Sequence, residues 1–198
     1  MIKLAGTFFV LLLFVSALVC YPYQSPSTPC QTAAGQNEFF LRPSLTKPSI
    51  VVKKAQRQLL LFSDGKIVRT YRIGLGLSPV GDKVRAGDRR TPEGTFYVFT
   101  RNPKSAFYLS LGLSYPNAEH AQRGLRDGLI TRIQYDRIIS AIKRKATPPQ
   151  NTPLGGDIYI HGNGSRSDWT WGCVALDDGE MRELYEAVEV GTPVTIEP

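Results

Sequence analysis

The chain has 198 residues, enough for one domain of ordinary size with extra segments at its ends. Hydrophobic residues make up 42% and charged residues 21%, a balance that excludes a chain disordered throughout. The net charge is +7 at pH 7, which suits an anionic partner, but no Lys/Arg block and no basic stripe interleaved with aromatics is present, and this argues against nucleic acid.

Met1-Ile2-Lys3 opens with a positive charge, and residues 4–19 are almost wholly apolar. This run is shorter than the roughly 20 residues that span a bilayer as a helix, and it fits the apolar region of a secretory signal. Val15-Ser16-Ala17 offers a cleavage site after Ala17. The alternatives are a lipoprotein-type signal with lipid on Cys20, or an uncleaved anchor. Residues 1–20 are therefore expected to direct export to the periplasm or cell envelope and to be the only membrane contact. Residues 21–47, rich in Pro, Ser, Gln and Thr, read as a flexible linker, with the domain starting near Pro48. Three cysteines are an odd number for an exported chain. Cys20 and Cys30 can pair with each other, or Cys20 can carry lipid; Cys173 is the expected free thiol.

Segments 49–54, 58–62 and 66–73 read as strands, with Asp64-Gly65 as the hairpin turn between the second and third. A Gly-rich polar stretch follows at 74–90, then a turn at Thr91-Pro92-Glu93-Gly94 and strands at 95–100 and 107–113. Residues 118–125 and 132–145 have helical spacing within a block expected to be an insertion, about 103–156, acting as a lid or rim or simply as packing. His120 within it is expected at the surface. Residues 157–161 form a strand running into Gly162-Asn163-Gly164. Residues 177–190 form a helix whose Asp177 and Glu180 match a capping box, and 193–197 form a last strand. The fold class is mainly β with a few helices.

The chain has two histidines, His120 and His161. A cysteine nucleophile needs a base, because the thiolate is the reactive form. His161 ends a strand, and Cys173 lies twelve residues on, after a loop long enough to return alongside it. A buried inert thiol beside an unrelated imidazole is the plainer alternative. Gly172 permits a tight turn that leaves the amides of Trp171, Gly172 and Cys173 as oxyanion donors. The chemistry needs no cofactor, and His161, Cys173, Asp168 and Asp177 lack the paired-ligand spacing of a metal site. Trp169 and Trp171 are candidates to line a substrate groove, with core packing as the alternative. Arg166 and Asp168 either grip charged groups of a substrate or are solvated loop charges.

Ile158-Tyr159-Ile160-His161-Gly162 followed by Thr170-Trp171-Gly172-Cys173-Val174 resembles the signature of the L,D-transpeptidase family, whose YkuD-type catalytic domain carries a His-Gly after a strand and then Ser/Thr-x-Gly-Cys. The run from Gly87 to Phe96 is similar to the family's Thr-Pro-x-Gly-x-Phe turn, and Gly74-Leu75-Gly76 to its strand exit. The resemblance covers about residues 48–197 and implies a mixed β-sandwich with a helix after the catalytic cysteine. It implies that Cys173 attacks a peptidoglycan stem peptide after its third residue, a diamino acid, and expels D-alanine. The resulting thioester then passes to an amine of a neighbouring stem. His161 would act as base and then acid, and Thr170 would support the turn. Gly162, Asn163, Arg166, Trp169 and Thr170 are the candidate substrate-binding residues. Trp171 stands where His is frequent, and Ala175 where many members carry Arg or Asn. The His161–Cys173 segment is also short. These departures bear on the acceptor, so a hydrolase of wall peptide or wall–protein linkages is the alternative. A non-catalytic wall-binding module is a third reading, against which the intact pair argues.

Overall fold

A computed structural model describes residues 45–198. Cys20, Cys30 and the expected signal lie outside the described residues, as does nearly all of the expected linker. The domain is an eight-stranded curled sheet with three helices. The strands are β1 (Ser49–Lys53), β2 (Gln58–Ser63), β3 (Lys66–Arg72), β4 (Gly94–Ser105), β5 (Tyr108–Leu113), β6 (Tyr159–His161), β7 (Val174–Ala175) and β8 (Pro193–Glu197). The helices are α1 (Ala118–Arg126), α2 (Arg132–Lys143) and α3 (Asp178–Ala187). The strand order is β3-β2-β1-β8-β4-β5-β6-β7.

Alternation of side chains decides which face is buried. In β1, Ile50 and Val52 face in; parallel pairing with β8 sets them in register with Val194 and Ile196. The inward residues of β4, Phe96 and Val98, extend this layer. The stripe Met181 and Leu184 of α3, with Val188 just past its end, closes the core. The two ends of the sheet meet: Gly74, just past β3, exchanges both backbone hydrogen bonds with Ala175 of β7, at 2.9 and 2.8 Å. The α3 capping box does not form, because Asp177 makes no side-chain cap bond. Its Oδ1 instead accepts from the amide and hydroxyl of Ser165.

The Gly-rich stretch expected at 74–90 is a folded loop built around two buried lysines. Lys54, 2% exposed, donates from Nζ to the Gly81 carbonyl (2.6 Å), the Thr91 carbonyl (3.0 Å) and Glu93 Oε1 (2.8 Å). Lys83 reaches Asp88 Oδ1 at 2.7 Å and the Arg85 carbonyl at 3.0 Å. Asp88 also accepts from the amides of Val84, Arg85 and Arg90. Burial alone would raise the Asp88 carboxyl; the Lys83 ammonium and these amides outweigh it and hold it below its ordinary value. Such charges are tolerated inside because each ammonium is paired with a carboxylate and also bonded to backbone carbonyls.

The expected insertion is narrower than 103–156. Residues 103–105 and 108–113 belong to β4 and β5, because their alternation suits a paired hairpin. Within 114–156, α1 and α2 pack on each other around Ala121, Ile130, Ile138 and Leu154. His120 is not at the surface: it is 2% exposed, between Asn117 Oδ1 (2.5 Å) and Asp82 Oδ1 (3.1 Å). Arg123 of α1 donates to the Lys83 carbonyl and pairs with Asp82. The helices thus brace the 77–93 loop. Replacing Lys54 by Met strands three acceptors beneath that loop. The expected loss is about 3 kcal/mol, of the order found when one partner of a buried ion pair is removed, read as a fall in the urea midpoint at constant slope.

Candidate active site

β6 and β7 run parallel, with Ile160 opposite Val174 and His161 opposite Ala175. Cys173 directly precedes β7, so the same register sets it level with Tyr159, two residues before His161. Alternation puts Tyr159 and His161 on one face. Cys173 and His161 both line one cavity of about 290 Å³, with Asn102, Ser105, Ala106, Phe107, Ser110, Asp157 and Tyr159. The facing wall is the β4–β5 hairpin; α1 and α2 contribute none of the lining residues, so they are not a lid over this cavity.

The imidazole is held tightly. His161 Nδ1 lies 2.7 Å from the Gly162 carbonyl, which can only accept, so Nδ1 carries the proton and Nε2 is the basic nitrogen. The ring stacks on Phe107 at 4.7 Å and meets Trp169 edge-on at 5.5 Å. Burial lowers the His161 pKa below its ordinary value, partly offset by the Gly162 bond. Cys173 is half-buried. Its sulfur accepts from the Tyr159 amide at 3.4 Å and donates to the Asp157 carbonyl at 3.5 Å. Burial pushes the thiol up to about 11; the Tyr159 amide pulls down and the Asp157 carboxylate pushes up further. Both groups are therefore neutral at neutral pH, and no hydrogen bond joins them among the described residues.

The turn before the cysteine is built by Thr170. Its hydroxyl donates to the Cys173 carbonyl at 2.7 Å and accepts from the Gly172 amide at 3.1 Å. Two expectations change here. The Gly172 amide is occupied, so it is no oxyanion donor in this arrangement; Trp171 and Cys173 are the remaining candidates. Thr170, 2% exposed, is buried away from any substrate. Gly172 is required for another reason: its φ is +132°, and an added Cβ would lie 2.7 Å from the Arg90 carbonyl oxygen.

The other expected binding residues do not gather at the sulfur. Gly162 is buried, its amide donating to the Phe107 carbonyl, so it positions the loop. Asn163, Arg166 and Trp169 line a separate groove of about 500 Å³ with Ser167, Asp177 and Asp178. Asp168 is neither a substrate grip nor a solvated charge: it pairs with Arg57 at 2.7 Å and accepts from the Leu75 amide at 2.9 Å. Trp171 is 68% exposed with the Arg89 guanidinium 4.8 Å from its ring, outside the catalytic cavity. Reasoning from sequence missed Tyr159, Asp157 and Phe107. Tyr159 and Asp157 contact the sulfur through a backbone amide and a backbone carbonyl, which carry no residue signature, and the Asp157 carboxylate acts on it through space. Among the described residues no three His, Cys, Asp or Glu side chains gather as a metal site.

Residues 47–196 match the YkuD family, described as the L,D-transpeptidase catalytic domain. The chain belongs to the L,D-transpeptidase family. Among solved structures, the helical cell shape determining protein Pgp2 of Campylobacter jejuni is similar at 23% identity and a TM-score of 0.52, covering 78% of this chain and 48% of that one. The L,D-transpeptidase of Xylanimonas cellulosilytica, residues 123–326, aligns at 18% identity and a TM-score of 0.46, covering 78% and 62%. That of Mycobacterium smegmatis aligns at 13% and 0.46, covering 77% and 59%. The chain thus spans about half to three-fifths of the length of these structures. No curated protein matches it. The family rests on the match over residues 47–196, and the Pgp2 likeness bears on the fold alone.

Two outcomes follow from this geometry. With its thiol raised to about 11, Cys173 of the free enzyme should be alkylated by iodoacetamide at a rate climbing about tenfold per pH unit from 7 to 9. A plateau below pH 8 would contradict the neutral pair. Thr170→Val removes both hydroxyl bonds and should cost about 1–3 kcal/mol in denaturant melts, while Thr170→Ser should restore most of it.

Proposed function

We propose that the domain is an exported cysteine acyltransferase that cleaves peptidoglycan stem peptides through a thioester on Cys173, with His161 as general base and then acid. The observation that carries this reading is the β6–β7 register, which sets a free thiol and an imidazole with a basic Nε2 around one cavity. In the resting state the thiol proton faces the Asp157 carbonyl. For reaction the thiol rotates toward Nε2 and gives up its proton as Sγ attacks the peptide carbonyl. Because the sulfur is desolvated and its pKa raised, attack and proton transfer run together rather than through a stored thiolate. The oxyanion is received by the amides of Trp171 and Cys173, the Gly172 amide being held by Thr170. The imidazolium returns its proton to the leaving amine, and the thioester remains. An acceptor amine, or water, then adds with His161 again taking the proton.

The departures at Trp171 and Ala175 favour keeping the hydrolytic outcome as the second reading. Ala175 is fully buried, and its backbone is used by Gly74, so no basic side chain stands beside the cysteine at that position. Purified protein incubated with muropeptides and followed by mass spectrometry separates the outcomes. Cross-linked or exchanged stems mean transfer; shortened stems or freed adducts mean hydrolysis. Cys173→Ala should abolish both, and His161→Gln should slow acylation by about 100-fold or more, the usual contribution of a general base. Turnover unchanged in Cys173→Ala would refute the assignment.

A further inference from the structure

The catalytic cavity carries one formal charge that the chemistry above leaves unused. Of its lining residues, Asp157 is the sole carboxylate, and none is Lys or Arg. Lys83, the lysine that acts electrostatically on Cys173, is buried and engaged by Asp88 and the Arg85 carbonyl. Among the described residues the Asp157 carboxylate has no cationic partner, and the residue is exposed.

Its backbone, by contrast, is fixed from both sides. The Asp157 amide donates to Gln150 Oε1 at 2.7 Å, and its carbonyl accepts from the thiol at 3.5 Å. Gln150 is itself anchored through Nε2 to the Tyr115 and Pro148 carbonyls, at 3.1 and 2.7 Å. Asp157 has φ +53°, a left-handed conformation that Asp and Asn adopt more readily than most residues. For catalysis alone the carboxylate is adverse, since a negative charge near the sulfur opposes its ionisation. A cation seated against it reverses that effect.

We propose that Asp157 is a specificity-determining residue whose carboxylate receives a primary ammonium group of the substrate beside Cys173 Sγ. The proposal rests on acylation of Cys173 by a peptide. Such an ammonium comes from the side chain of a diamino acid in the acyl donor, or from the incoming acceptor amine. Carried by the donor, it offsets the carboxylate that opposes ionisation of the thiol, so the correct donor eases formation of its own nucleophile; carried by the acceptor, it holds that amine beside the thioester and gives its proton to His161 before the amine attacks. No bond is made or broken as the ammonium is seated.

The test compares wild type with Asp157→Asn, which keeps the shape and tolerates positive φ. Two acyl donors are used: a stem peptide with a free side-chain ammonium and its N-acetylated twin. Acyl-enzyme is followed by intact-protein mass spectrometry, and its partition between an added amine and water by product analysis. Wild type should acylate with the free-ammonium peptide about tenfold faster or more, the scale of one charge-assisted hydrogen bond. The variant should lose that preference while iodoacetamide labelling of Cys173 is maintained or quickened. If acetylation leaves acylation unchanged but the variant favours water over the amine, the acceptor supplies the ammonium. Equal acylation by both peptides together with unchanged partition in the variant overturns the inference alone. Absence of any acyl-enzyme, with Cys173 still labelled, overturns the proposed function and this inference with it.

Discussion

Val174 and Ala175 form a strand of two residues, yet it is hydrogen-bonded along both edges. On one side it runs parallel to β6; on the other Ala175 exchanges two backbone bonds with Gly74. A strand this short has little stability of its own, so its place depends on both neighbours. That double attachment closes the curled sheet and sets the height of Cys173 against His161. The close approaches around it explain the small residues: at Gly76 an added Cβ would meet the Arg89 carbonyl, and at Gly172 the Arg90 carbonyl. The 77–93 loop therefore presses directly on the cysteine turn, and the buried lysines that organise the loop also support the nucleophile.

Two charge regimes lie side by side. Beneath the loop, ammonium and carboxylate groups are buried and mutually satisfied, as with Lys83 and Asp88. In the cavity, the half-buried thiol and the buried imidazole are neutral, each held by backbone groups. The first arrangement gives rigidity, because removing either partner strands the other. The second keeps the thiol and the imidazole uncharged at neutral pH. Phe107 and Trp169 contribute by enclosing the imidazole on its face and edge. The Gly162 carbonyl fixes which nitrogen is basic.

The departures from the commonest family pattern acquire physical meaning in this setting. Ala175 is buried and fully used by sheet closure, which leaves the cysteine without a neighbouring guanidinium. Trp171 points out of the cavity and pairs with Arg89. The charge at the cavity is consequently that of Asp157, and the site suits a cationic group where a basic residue would suit an anionic one. The proposed acyl-enzyme step uses Cys173 and His161, which match the family's sequence pattern. What is particular to this chain lies in how the substrate is met.

Much of the architecture was legible from the residues. Strands alternate with period two and the C-terminal helix repeats its apolar stripe, and both patterns are local consequences of backbone geometry. That Cys173 and His161 come to one cavity was legible too, because strand, glycines and loop length are readable in one dimension. Other features were decided only by tertiary structure. Asp177 and Glu180 spelled a capping box, but Ser165, brought in by the preceding loop, claims the Asp177 carboxylate. His120 is buried, although its neighbours suggested a surface helix, because Asp82 arrives from the 77–93 loop to satisfy it. The Gly172 amide, free in sequence logic, is taken by Thr170 once the turn closes. In each case a hydrogen-bonding group had several local options, and a residue distant in sequence or a folded turn selected one. Sequence by itself determined which groups exist and which elements carry them; folding decided which group meets which, because hydrogen bonds and ion pairs depend on positions in space that no local pattern encodes.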